Sequence, residues 1–100
     1  MASKLFILLK SPREFAGVDI LKEISHNDRS GVILFEDAAY YSVDKEKSKE
    51  LLGSVDEAFV LSDDIAARGF EGLTLPGYEV IDYGKAVDLI MERYDQTITL

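Results

Sequence analysis

Short, dense blocks of apolar residues recur along this chain and limit what it can fold into. They are Leu5-Phe6-Ile7-Leu8-Leu9, Val32-Ile33-Leu34-Phe35, Ala58-Phe59-Val60-Leu61 and Val80-Ile81. The first three do not alternate with polar residues, so both faces of each segment must be covered. That is the pattern of strands inside a parallel sheet flanked by helices. Parallel strands need crossovers, and the segments between the blocks carry helical spacing. The chain is therefore expected to be α/β: a single layered domain over residues 1–100, with a mostly parallel sheet flanked by helices and right-handed connections. With 100 residues, 47% of them apolar, it can build one core without metals or disulfides.

Local signals place the helices. Ser11-Pro12-Arg13-Glu14 reads as a capping box opening the first crossover helix, with Gly17, Ile20, Leu21 and Ile24 on its inner face and a stop near His26-Asn27-Asp28. Ala38 to Val43 reads as a short helix opened by Asp37, and the charged run Asp44 to Glu50 as a solvated helix face ending at Gly53. Ser62 or Asp63 is expected to cap a helix that Gly69 closes in the left-handed conformation. The fourth strand, Tyr78 to Ile81, leads to Asp82 as a cap. Tyr83, Val87, Ile90 and Tyr94 then form a helical stripe. The alternation in Gln96-Thr97-Ile98-Thr99-Leu100 predicts a short C-terminal edge strand, whose unpaired backbone can meet another subunit.

Composition removes several kinds of function. Eleven basic against nineteen acidic residues leave a formal charge of −8. That balance disfavours direct nucleic-acid binding and anionic membranes, since both need a positive face. No apolar run approaches the roughly 20 residues of a spanning helix, and Leu5 to Leu9 is too short for a signal peptide. A cytoplasmic location is expected. There is no cysteine, so disulfides, thiolate metal sites, cysteine nucleophiles and persulfide carriage are all excluded for this sequence. His26 is the one histidine, so no multi-histidine site forms within a chain. No cofactor is implied.

In open parallel sheets, functional groups gather beyond the carboxyl ends of the strands. Those ends read Lys10-Ser11, Glu36-Asp37, Ser62-Asp63-Asp64 and Asp82-Tyr83. One reading is a divalent-cation or small-anion site built on Asp37, Asp64 and Arg68. The simpler reading makes Asp37, Asp63 and Asp82 helix caps, with Arg68 paired to Asp64 one turn back. Ser11, Ser42 and Ser62 lack a nucleophile-elbow signature, which leaves a hydrolase using Ser11 or Ser62 with His26 as an unsupported alternative. Tyr40 and Tyr41 form a compact aromatic pair, suited either to a protein interface or to burial of one ring on the sheet. With Thr97 and Ile98 they are the candidate partner contacts.

Taken in order, Lys10-Ser11-Pro12, Ile33-Leu34-Phe35-Glu36-Asp37-Ala38, Val60-Leu61-Ser62-Asp63-Asp64-Ile65-Ala66-Ala67-Arg68-Gly69-Phe70 and Ile81-Asp82-Tyr83 resemble the DsrH/TusB family. The block ending Ala67-Arg68-Gly69 is the most specific, and Val87-Asp88-Leu89 extends the likeness. The resemblance implies a DsrE-like fold and association with DsrE/TusD-like and DsrF/TusC-like proteins; the alternative is self-association, as a free-standing homo-oligomer that binds a small anion or divalent metal at the strand ends. The three-subunit assemblies relay sulfur as cysteine persulfide, towards 2-thiolation of the tRNA wobble uridine in the TusBCD kind and in dissimilatory sulfur metabolism in the DsrEFH kind. The main sulfur-accepting cysteine lies in the DsrE/TusD subunit, and some DsrH members carry another around the position of Ile20 or Leu21. This sequence has hydrocarbon there and no thiol anywhere, so the resemblance implies a non-catalytic subunit that supports assembly.

Overall fold

The computed structural model describes residues 3–14, 18, 20–25 and 28–100. Its sheet is built from β1 (Ser3–Leu8), β2 (Arg29–Leu34), β3 (Glu57–Leu61), β4 (Glu79–Ile81) and β5 (Gln96–Thr99). All the strand pairs are parallel, and the spatial order is β4-β3-β2-β1-β5. The helices are α1 (Ile20–Ser25), α2 (Lys45–Leu52), α3 (Ser62–Ala67) and α4 (Tyr83–Asp88). A 3-10 segment, Glu36–Val43, precedes α2, and a wider π turn, Leu89–Arg93, prolongs α4.

The strand order dictates which face each helix covers. The chain steps from β1 to β4 in one direction and then returns past β1 to place β5. Right-handed crossovers in opposite directions put their helices on opposite faces. One core accordingly joins Phe6, Leu8, Val32, Leu34, Ala58 and Val60 to Leu21, Leu51 and Ile65 of the first three helices. The other joins Leu5, Ile33, Phe59, Leu61 and Ile81 to Ala86 and Leu89 of the α4 segment and to Tyr94. Residues adjacent along β1 belong to different cores, which explains why these strands read as unbroken apolar runs.

Several local expectations are corrected. Pro12–Glu14 is a turn in which the Glu14 amide donates to the Ser11 carbonyl at 3.0 Å, and the described part of α1 starts at Ile20. Leu21 is buried and Ile24 partly so, but Ile20 faces solvent. Gly17, His26 and Asn27 lie outside the described residues. The stripe expected on the last helix is also displaced. Ala86 and Leu89 point inward, whereas Tyr83 and Val87 are exposed. The π turn rotates the chain out of α-helical phase and delivers Tyr94, in extended backbone, onto β2. Its hydroxyl lies where a Cβ on Gly31 would stand and donates to Glu57 Oε1 at 2.6 Å.

Other signals act as read. The charged run forms α2, which ends at Gly53, and Asp82 caps α4 by accepting the Lys85 amide at 2.7 Å; Asp44, not read as a cap, caps α2 by accepting the Lys47 amide. Gly69 takes φ +69 after α3. The Phe70 amide there reaches the Ile65 carbonyl and the Gly69 amide the Ala66 carbonyl, which closes a Schellman motif.

Candidate functional site

The carboxyl ends of β2 and β3 are locked together. Glu36, two residues past the end of β2, has φ 51, a left-handed conformation that costs a side-chain-bearing residue about 1–2 kcal/mol. Its amide donates to Asp64 Oδ2 at 2.7 Å. Arg68 then ties the junction. Its Nη2 lies 2.8 Å from Asp37 Oδ1, and its Nη1 lies 3.5 Å from Asp64 Oδ1 and 3.4 Å from the Asp64 carbonyl. One carboxylate therefore fixes a strained amide, and one guanidinium joins that carboxylate to the start of the 3-10 segment.

This arrangement corrects two expectations. Asp37 and Asp63 cap no helix, because the residues at the two cap positions are Phe35 and Leu61, neither of which makes a side-chain cap bond. Asp64 instead supplies the missing acceptor from another element. Arg68 does pair with Asp64, but its shorter contact is to Asp37. With both carboxylates turned onto it, the guanidinium is not left to clamp a small anion. Among the described residues, no three acidic or histidine side chains stand together as metal ligands.

The aromatic pair is divided. Tyr41 is wholly buried, and burial pushes its phenol up to about 12, so it offers no surface to a partner and is withdrawn as an interface residue. Tyr40 is exposed and meets Phe70 edge to face, with ring centroids 5.1 Å apart. A cleft of about 660 Å³ opens beside it, between Ser11, Pro12 and Arg13 on one wall and Tyr40, Val43 and Asp44 on the other. Sequence position alone gave no sign that the Ser-Pro turn and Tyr40 would share a cleft.

The serines have structural partners or lie apart. Ser42 is buried and its hydroxyl donates to the Ala39 carbonyl, while Ser11 lines the cleft. Ser62 opens α3, and His26 falls outside the described residues. Ser48 Oγ, which sequence reasoning passed over, bonds to the Tyr41 carbonyl and lies 2.9 Å from the Tyr78 hydroxyl. That buried link, with the Leu75 amide on the Ser42 carbonyl, fastens the loop after α3 to the 3-10 segment.

At the opposite end of the sheet a second charged group forms. Glu57 accepts from Tyr94 and from Arg29 at 2.9 Å, with Arg93 at 3.6 Å. The Tyr94 hydrogen bond, followed by the Arg29 contact, holds the Glu57 carboxyl below its ordinary range despite partial burial. Burial, and then the same hydrogen bond, pushes the Tyr94 phenol up.

In β5, Thr97 is exposed and Ile98 packs on the first core. Tyr83, the first residue of α4, is exposed, with its ring 6.4 Å from that of Phe35 in an edge-to-face contact. No helix among the described residues is long and apolar enough to cross a membrane.

Comparison with known proteins adds three findings. Residues 10–96 match the family model described as DsrH like protein. The search of curated proteins finds no match. Among solved structures, the crystal structure of the ychN protein from E. coli superposes with a TM-score of 0.79 at 14% identity, covering 100% of both chains. At that identity the likeness concerns the fold, and it agrees with the parallel sheet and its C-terminal edge strand.

Proposed function

The chain belongs to the DsrH family, and from that membership we propose that it is a subunit of a sulfur-relay assembly of the DsrEFH or TusBCD kind, one that carries no sulfur itself. The observation behind the reading is a family match across residues 10–96 in a sequence without cysteine. Sulfane sulfur travels as a persulfide on a thiol, and no other side chain forms one. Around the position where some members place a cysteine stand Ile20, exposed, and Leu21, buried, both hydrocarbon. Transfer chemistry then belongs to a DsrE/TusD-like partner, with a DsrF/TusC-like protein completing the assembly in the cytoplasm. The role left to this chain is shape. The Asp37–Arg68–Asp64 clamp and the Glu36 turn hold the strand-end rim of a DsrE-like domain in one conformation that a neighbour can recognise. A charge of −8 supports leaving any tRNA to another subunit.

Co-expression with the DsrE-like and DsrF-like proteins of the same genome, followed by native mass spectrometry, tests this reading. A mixed assembly that falls apart when this chain is omitted is the expected result. Partners that assemble fully without it, and leave it behind as a separate species, would overturn the proposal.

A further inference from the structure

A helix laid on one face of a sheet normally turns its apolar row inward and a polar row outward. The α4 segment has two apolar rows. Ala86 and Leu89 are buried against the sheet, yet Tyr83, Val87 and Met91 are 64%, 44% and 75% exposed. Tyr83 and Val87 stand one turn apart on α4 and Met91 follows in the π turn, so the three line the outer side of the segment over roughly two turns; among the described residues this is the one helical segment on that face. The next row along the helix surface is Gly84, Asp88 and Glu92, all exposed, and neither carboxylate has a salt bridge among the described residues. Of the basic residues of the segment, Arg93 leans to Glu57 at 3.6 Å, and Lys85 is half-buried and forms no salt bridge to Asp88 or Glu92.

We propose that the Tyr83–Val87–Met91 row is the docking surface for a partner protein presenting an apolar strip edged by lysine or arginine, and that this partner is a different subunit of the relay assembly. The inference rests on the chain being such a subunit. Charge selects the occupant. A second copy laid antiparallel on the row would set Asp88 and Glu92 against their own counterparts, with −8 on each chain. A basic-edged partner meets those carboxylates with opposite charge, while tyrosine and methionine supply adaptable contact area. This moves the expected anchor from the Tyr40–Tyr41 pair and the β5 edge to α4.

The test uses the whole chain and the purified DsrE-like and DsrF-like proteins of the same genome, with affinity measured by calorimetry. Tyr83→Ser and Met91→Glu should each weaken binding by about tenfold or more. The double variant Asp88→Lys with Glu92→Lys should weaken it by at least several-fold, as should raising sodium chloride from about 50 to about 500 mM. All the altered positions are exposed, and circular dichroism checks that each variant keeps its fold. Binding that ignores these substitutions would overturn the surface while leaving the subunit reading standing. Absence of binding by the folded wild-type chain would overturn both. A dimer of the chain alone that these substitutions dissolve would show that the occupant is a second copy, and would equally overturn the proposal.

Discussion

Arg68 Nη2 sits 2.8 Å from Asp37 Oδ1, a contact that spans 31 positions of sequence and closes the junction between β2 and α3. The same guanidinium touches Asp64, whose other oxygen holds the Glu36 amide. Arg68→Met should therefore loosen the left-handed turn at Glu36 as well as remove an ion pair. Because Asp37 is half-exposed, solvent screens that part of the interaction, and the loss is on the order of 1 kcal/mol. Urea unfolding measures it, and Arg68→Lys, which keeps the charge without the fork, should recover only part.

Gly31 is required by a side chain from near the other end of the sequence, that of Tyr94. A Cβ there would meet the Tyr94 hydroxyl, so Gly31→Ala must displace a ring that is bonded to Glu57. A cost of about 1–3 kcal/mol is expected in chemical denaturation. In the Tyr94→Leu background the same change should cost much less, and a double-mutant cycle reads the coupling directly.

Acid should act through Glu57. Its folded carboxyl titrates below its unfolded value, so its contribution is present above the ordinary carboxylate range and is lost as pH falls through the folded value. At neutral pH Glu57→Gln should be less stable than the wild type. The gap should narrow on acidification, followed by urea midpoints between pH 7 and about pH 3.

Alkali should act through buried phenols. Burial pushes Tyr78, which lies beside Ser48, up to about 12 from an unfolded value of 10.0. A raised acid value favours the neutral form in the folded chain. The stability it contributes is whole below pH 10 and is lost as pH rises towards 12. Tyr78→Phe, which has no proton to lose, should flatten that part of the alkaline unfolding curve while giving up the Ser48 contact.

Much of the architecture was legible because burial on two faces leaves a direct mark on sequence. Leu5, Phe6 and Leu8, and the run Val32 to Phe35, are apolar since adjacent residues enter different cores, whereas Leu9, past the end of β1, is exposed. Capping by Asp82 and closure at Gly69 were legible too, because each is decided within a few residues. The rim was read only in part. Asp64 caps a segment 28 positions away, a partnership that no local spacing encodes. Tyr83 and Val87 looked like core because regular helical spacing was assumed through Leu89–Arg93, where the chain widens into a π turn. The fate of Tyr41 turned on which of two adjacent rings faced the sheet, and that depends on the 3-10 geometry of Glu36–Val43.

Sulfur placement within the assembled complex tests the account most directly. The complex is incubated with a sulfur donor under anaerobic conditions, and each subunit is weighed by intact-protein mass spectrometry. A persulfide on the DsrE/TusD-like subunit, an unmodified mass for this chain, and loss of transfer when this chain is withheld are the predicted results. Donor sulfur bound to this cysteine-free polypeptide, or transfer undiminished without it, would contradict the account.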